Sequence, residues 1–187
     1  TAVTAQNTQG VHSQFALSPS MVIDQINAVL EDIYPSVIKV GMLSDASIAA
    51  AVADALKGYS NPIILDPVMV SSSGHRLLSL DAQSILKERL LPMALLVTPN
   101  IPEMEALTSM PVSTNEEKFN AACYLLSLGV PAVLLKGGHQ EGDSKMDILY
   151  QKSSQGIIST TFSSPTVITS NIHGTGCTLS SAIAAYM

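Results

Sequence analysis

The stretch VIKVGMLSDASIAAAVADALKGYSNPIILDP, residues 37–67, decides the fold class. Val37 to Val40 is a short run of branched apolar residues, broken only by Lys39 and closed by Gly41, and it reads as a strand. Ile48, Val52 and Leu56 recur at helical spacing, and Gly58 stops that helix. Ile63 to Leu65 is a second apolar strand that runs directly into Asp66-Pro67. Neither strand shows the regular in-out alternation of a half-exposed antiparallel sheet. Continuously apolar strands alternating with amphipathic helices predict an α/β fold: a mostly parallel central sheet with helices on both faces.

The alternation continues outward in both directions. Pro19 to Tyr34 sets Val22, Ile26, Val29 and Ile33 at helical spacing, with Ser18 and Pro19 as cap and first turn. Downstream come a helix near Ala82 to Leu90 and a strand over Leu95 to Thr98. A later helix carries Phe119, Cys123 and Leu126 on one face and ends at Gly129, before a strand over Ala132 to Leu135. After Lys136 the texture shifts to shorter β-like pieces around Ile148 to Tyr150 and Ile157 to Phe162. The last helix is expected to begin near Gly174 and run to the end. There is no internal repeat and no low-complexity linker. Residues 1–187 therefore read as a single domain with about five core strands. The chain opens inside an apolar run (TAVTAQ) and closes on AIAAYM, so the expectation is a domain incomplete at both termini.

Apolar residues make up 47% of the 187 and charged residues 13%, with a mean hydropathy of +0.32, which is too apolar for disorder and ample for a core. Nine Lys and Arg against fifteen Asp and Glu give a formal charge of −6, and no basic cluster occurs, so nucleic acid is not an expected partner. A nucleotide remains open, because one phosphate site needs only a few aimed donors. Cys123 and Cys177 form no CxxC pair, so neither a disulfide framework nor a zinc site is expected. No apolar run is long enough for a membrane span, and Thr1 to Ser13 lacks the basic and apolar regions of a signal peptide. The cytoplasm is the expected compartment.

In a doubly wound sheet the ligand lies outside the carboxyl ends of the strands. The polar residues expected there are Gln6-Asn7-Thr8, Gly41-Met42, Asp66-Pro67-Val68, Thr98-Pro99-Asn100 with Glu103, and Lys136-Gly137-Gly138. The strongest local signal is His173-Gly174-Thr175-Gly176-Cys177-Thr178 at the start of a helix. Its glycines let backbone N–H groups aim at one anion, with the helix dipole behind them; a glycine-rich helix start without a ligand has the same pattern. Cys177 stands in the first turn, where a helix N-terminus lowers a thiol pKa. It can then act as a general base or a hydrogen-bond partner, or be a small buried residue, the reading given to Cys123. Asn100 and Glu103, three apart at a helix start, can hold hydrated Mg²⁺ or close a capping box. Lys136 with its glycines suits a nucleotide phosphate or is a solvated loop lysine. Asp66 can meet metal-bound water or cap the following turn. His12, His75 and His139 fall in expected loops, and His173 abuts the glycine nest. The methionines read mostly as core, with Met42 the one placed to touch a ligand. The GxxxxGK[ST] loop, the protein-kinase motifs and a GxGxxG after the first strand are all missing.

Six blocks, TAVTAQNTQGVHS (1–13), KVGML (39–43), LDPVM (65–69), TPNIPE (98–103), LLKGGH (134–139) and NIHGTGCT (171–178), resemble in order the hydroxymethylpyrimidine and phosphomethylpyrimidine kinases of thiamin biosynthesis, within the ribokinase-like superfamily. The resemblance implies ATP-dependent phosphorylation of 4-amino-5-hydroxymethyl-2-methylpyrimidine and of its monophosphate, with Mg²⁺. It implies that Gln6 bonds the aminopyrimidine, that Met42 and Val68 line its pocket, and that Lys136 approaches the ATP phosphates. Asn100 and Glu103 would organise Mg²⁺, with Asp66 nearby. Gly174, Thr175, Gly176 and Cys177 would form the anion hole, with Cys177 in the place of the general base, where many sugar kinases carry Asp. The family's glycine-rich first strand would precede Thr1, and its last helices would follow Met187. A pyridoxal or pyridoxine kinase is the alternative among enzymes, and a non-catalytic ligand-binding remnant the alternative outside them; Gln6-Asn7-Thr8 favours the aminopyrimidine. The oligomeric state is left open, a homodimer being one option.

Overall fold

Short apolar strands, each followed by a helix, build the sheet. In the computed structural model, which describes residues 1–69, 78–138, 143–169 and 173–187, three of these strands are β3 (Ile38–Val40), β4 (Ile63–Leu65) and β5 (Leu96–Val97). They lie parallel to one another and to β6 (Ala132–Leu135). A hairpin of β7 (Ser144–Ser153) and β8 (Gly156–Pro165) then extends the sheet antiparallel, in the order β3-β4-β5-β6-β7-β8. His75, His139 and the Asn171-Ile172 part of the last motif lie outside the described residues.

The register aligns Val40, Leu65, Val97 and Val133 across the four parallel strands. All four belong to the hydrophobic core, whereas Ile64, one step along β4 and fully buried, faces the other side. Burying a side chain of this size is worth about 1.5–3 kcal/mol. The helices between the parallel strands are α2 (Ala46–Ala55), α3 (Leu80–Ile85) and the pair α4 (Ile101–Thr108) and α5 (Asn115–Ser127). Right-handed crossovers that always step the same way put them on one face, and α1 (Pro19–Asp32) packs against α2 in that layer. The opposite face receives α6 (Thr175–Tyr186), which packs on β3 and β4. Helices thus lie on both faces, and none is long and apolar enough to cross a membrane.

The starts of the helices are set by side-chain caps. Ser18 accepts from Met21 N–H at α1, and Asp45 accepts from Ile48 N–H at 3.0 Å at α2. Thr114 and Glu117 close a capping box at α5. Each such cap is worth about 0.5–2 kcal/mol. Gly58, at φ +92°, ends the chain's run after α2 in a conformation that a side chain resists.

Several expectations shift. The opening run is no strand of the main sheet: β1 (Ala2–Asn7) pairs antiparallel with β2 (Gly10–Ala16) in a separate hairpin. Its small Ala and Thr residues read as buried from sequence, yet most of β1 is exposed. His12 therefore sits on a strand, not a loop, bonded to Asn7 at 3.2 Å. On α1, Val22 is buried, but Val29 and Ile33 are exposed. The π-helical turn Leu86–Leu90 carries on from α3 where one regular helix was expected. Cys123 is only half-buried, because α5 turns Ala121, Ala122, Leu125 and Leu126 inward instead. Methionines divide: Met69 and Met104 are core, while Met21, Met146 and Met187 are exposed.

Candidate active site

Asp66 is the hub. It leaves the end of β4 with its N–H on the Val40 carbonyl, and its side chain is 1% exposed. Lys136 Nζ donates to Oδ1 at 2.9 Å, and Thr98 Oγ1 lies 3.2 Å from the same oxygen. Ser180 Oγ donates to Oδ2 at 3.1 Å, and Lys39 Nζ stands 3.6 Å from it. Burial alone would push this carboxyl pKa up. The charge and hydrogen bond of Lys136, then Lys39 and Ser180, outweigh that and hold it below the usual carboxylate value.

The strand ends set this geometry. Thr98 N–H bonds the Leu65 carbonyl and Lys136 N–H bonds the Pro99 carbonyl, so each polar residue follows its strand at the same edge. The two lysines reach Asp66 over glycines. A Cβ at Gly41 would lie 2.5 Å from Lys39 Nζ, and one at Gly176 would lie 3.2 Å from Lys136 Nζ. Gly137 has a different role: its N–H is taken by Asp147 at 2.7 Å, and a side chain there would collide with the Met146 backbone. That glycine serves the approach of β7 and does not offer its N–H to a phosphate, as the Lys136-Gly137 pairing had led us to expect.

Asn100 and Glu103 form the full capping box of α4, each bonding the other's backbone N–H at 2.8 Å. Glu103 is nevertheless part of the cluster, with Oε2 3.7 Å from Lys136 Nζ. Its carboxyl pKa is raised, chiefly by burial, which Lys136 and the Asn100 N–H only partly offset; the Asp66 charge adds to the rise. Capping and site membership are thus compatible for this pair. Among the described residues no three His, Cys, Asp or Glu gather as a metal cage. Asp66, Asn100 and Glu103 do present oxygens at one edge. That donor set fits Mg²⁺, which keeps its waters and takes few protein ligands.

At the start of α6, Gly174 adopts φ +75° with no side-chain cap, and Thr178 bonds back to its carbonyl. Ser180 ties this helix to Asp66 at 3.1 Å, so the first turn of α6 is held close to that carboxylate. Cys177 is an exposed residue beside this cluster. Its thiol pKa is raised, chiefly by partial desolvation of the sulfur; the Asp66 carboxylate adds to the rise, while Lys39 and Lys136 pull it down. Desolvation thus outweighs the lowering expected from the helix N-terminus.

Met42 and Val68 lie half-buried beside this cluster in sequence, after β3 and next to Asp66, and Thr1 Oγ1 bonds the Met42 carbonyl at 2.9 Å. Gln6 is exposed on the hairpin, beside the bulge that interrupts its pairing. Sequence reading placed Thr98 at the ligand edge but missed Lys39 and Ser180 as site residues. The charge in an otherwise apolar strand was the signal available for Lys39.

The sequence model of the family described as phosphomethylpyrimidine kinase matches residues 1–187. The thiamine biosynthesis bifunctional protein ThiED of Geobacter sulfurreducens is 46% identical over 188 residues, covering 100% of this chain and 38% of that protein. A hydroxymethylpyrimidine/phosphomethylpyrimidine kinase of Escherichia coli is 41% identical, covering 99% of this chain and 69% of that enzyme. Among solved structures, the pyridoxal kinase of Staphylococcus aureus in complex with AMP-PCP and pyridoxal superposes with a TM-score of 0.85 at 26% identity, covering 100% of this chain and 66% of that one. The chain thus spans about two-thirds of the single-function relative and well under half of the bifunctional one.

Proposed function

The chain belongs to the phosphomethylpyrimidine kinase family, and on that premise we propose that it is the phosphoryl-transfer part of an ATP-dependent kinase acting on 4-amino-5-hydroxymethyl-2-methylpyrimidine and on its monophosphate. The observation that carries the proposal is the meeting of Asp66, Glu103 and Lys136 beneath the first turn of α6. A cation and a helix N-terminus aimed at one point match the charge that develops on a transferring phosphoryl. Lys136, beside Asn100 and Glu103, takes the nucleotide side. The Thr175-Gly176-Cys177 N–H groups receive the equatorial oxygens. Mg²⁺, when bound through water to Glu103, Asn100 and Asp66, supplies neutralisation of the nucleotide phosphates. Met42 and Val68 line the pyrimidine side, and Gln6 is the proposed partner of its amino group.

Cys177, whose raised thiol pKa favours the neutral form, accepts a hydrogen bond from the substrate hydroxyl on sulfur and holds that oxygen in line for attack. As the O–P bond forms and the bond to ADP breaks, the hydroxyl proton passes to an oxygen of the transferred phosphoryl. A reaction drawing on ATP favours a cytoplasmic setting. The test is mass spectrometry of products from full-length protein, ATP, Mg²⁺ and a panel of the pyrimidine alcohol, its monophosphate, pyridoxal and pyridoxine. Phosphorylated pyrimidines as the main products are expected; products confined to the pyridoxine series would overturn the reading in favour of the alternative that the S. aureus likeness carries.

A further inference from the structure

Lys39 is more cation than Asp66 requires. The Asp66 oxygens are already supplied by Lys136 at 2.9 Å, Thr98 at 3.2 Å and Ser180 at 3.1 Å. Lys39 stands off at 3.6 Å, beyond ordinary hydrogen-bond length, with its side chain 20% exposed. Its ammonium therefore keeps donors for another anion. The position is also built: β3 is otherwise apolar, a lysine inside such a strand is costly unless its charge is used, and only a glycine at 41 leaves room for the ammonium.

The two lysines reach opposite oxygens of Asp66 from different strands. Lys136 follows β6, next to Asn100 and Glu103. Lys39 lies on β3, three strands away in the sheet, and runs forward over Gly41 toward Met42. That is the side assigned to the pyrimidine. A second phosphorylation brings a phosphate monoester up against the nucleotide phosphates, and like charges at such range repel unless a cation stands beside each. We propose that Lys39 is the acceptor-side phosphate-binding residue, which holds the phosphate a pyrimidine already carries and so sets the use of the monophosphate as a substrate. The assignment rests on the functional reading above.

The experiment measures kcat and KM for the pyrimidine alcohol and for its monophosphate, in full-length wild type, Lys39→Met, Lys39→Arg and Gly41→Ala. Losing a hydrogen bond to a charged group should lower kcat/KM for the monophosphate about 10- to 100-fold more than for the alcohol in Lys39→Met, mainly through KM. Lys39→Arg, which keeps the charge, should restore most of it. Gly41→Ala displaces the ammonium without removing it and should show the same selective loss, so it carries the test if Lys39→Met fails to fold. Wild type active on both substrates, with variants that lose both equally, overturns the inference alone and leaves Lys39 as a counter-charge to Asp66. Wild type that turns over neither pyrimidine overturns the functional reading as well.

Discussion

Replacing Asp66 by Asn removes the negative centre of the cluster while keeping its shape. Deleting one partner of a buried ion pair costs about 3–5 kcal/mol, because the remaining charge stays buried. Here two lysines are stranded, with side chains 12% and 20% exposed, so neither is wholly cut off from water. Asn also still accepts through its one carbonyl oxygen from either Thr98 or Ser180, which bond opposite oxygens of Asp66. The lower end, about 3 kcal/mol, is therefore expected, or roughly 6–12 °C in Tm for a chain of this size. The pH dependence has a definite sign. The folded pKa of Asp66 is depressed, so its contribution is complete above the unfolded carboxylate value of about 3.9 and disappears as pH falls through the lower folded value. Urea denaturation of wild type and Asp66→Asn at neutral pH and in strong acid gives the comparison. The gap should be wide at neutral pH and close in acid. A neutral-pH loss below about 1 kcal/mol, or a gap unchanged in acid, refutes the hub role.

Glu103→Gln keeps the capping box, which Gln also closes, and removes a carboxylate whose pKa burial has raised; the melting temperature should not fall, while the Mg²⁺ concentration for half-maximal turnover rises. Because the folded pKa lies above the unfolded one, ionised Glu103 opposes folding as pH rises through that value, so the Gln variant should gain stability relative to wild type toward neutral pH. Gly176→Ala places a Cβ against the Lys136 ammonium and should raise KM for ATP with the fold intact, as measured by kinetics and circular dichroism. Gly174→Ala imposes φ +75° on a residue with a side chain and should cost about 1–2 kcal/mol in denaturation.

The parallel sheet was legible because Val37 to Val40, Ile63 to Leu65 and Ala132 to Leu135 carry continuous apolar runs, which half-exposed strands do not. Asp66, Asn100, Glu103 and Lys136 were legible because the fold rule places strand ends at the ligand edge. The hairpin was not: TAVTA has the composition of a buried strand, and only its pairing with GVHSQFA reveals an exposed ribbon. Lys39 stood out only as a charge in an apolar strand; its role depends on Gly41 ahead of it and on Asp66 across the sheet register, which that local signal does not state. Ser180 was hidden for a similar reason, as a small residue in a small-residue helix until α6 settles over β4. The Cys177 pKa is raised instead of lowered because desolvation of the sulfur, and then the nearby Asp66, have no trace in the motif around the thiol.

The central claim is that phosphoryl transfer takes place at the first turn of α6, over Asp66. Cys177 is exposed there, and Cys123, half-buried on α5, is an internal control in the same chain. The direct measurement is the rate of alkylation of each cysteine in full-length protein, read by peptide mass spectrometry, without ligands and then with a non-hydrolysable ATP analogue, Mg²⁺ and the pyrimidine alcohol together. The account predicts that the ligands slow Cys177 modification at least about tenfold, leave Cys123 unchanged, and that modification of Cys177 tracks loss of turnover. Equal rates at Cys177 with and without ligands, or full turnover after its modification, would contradict it.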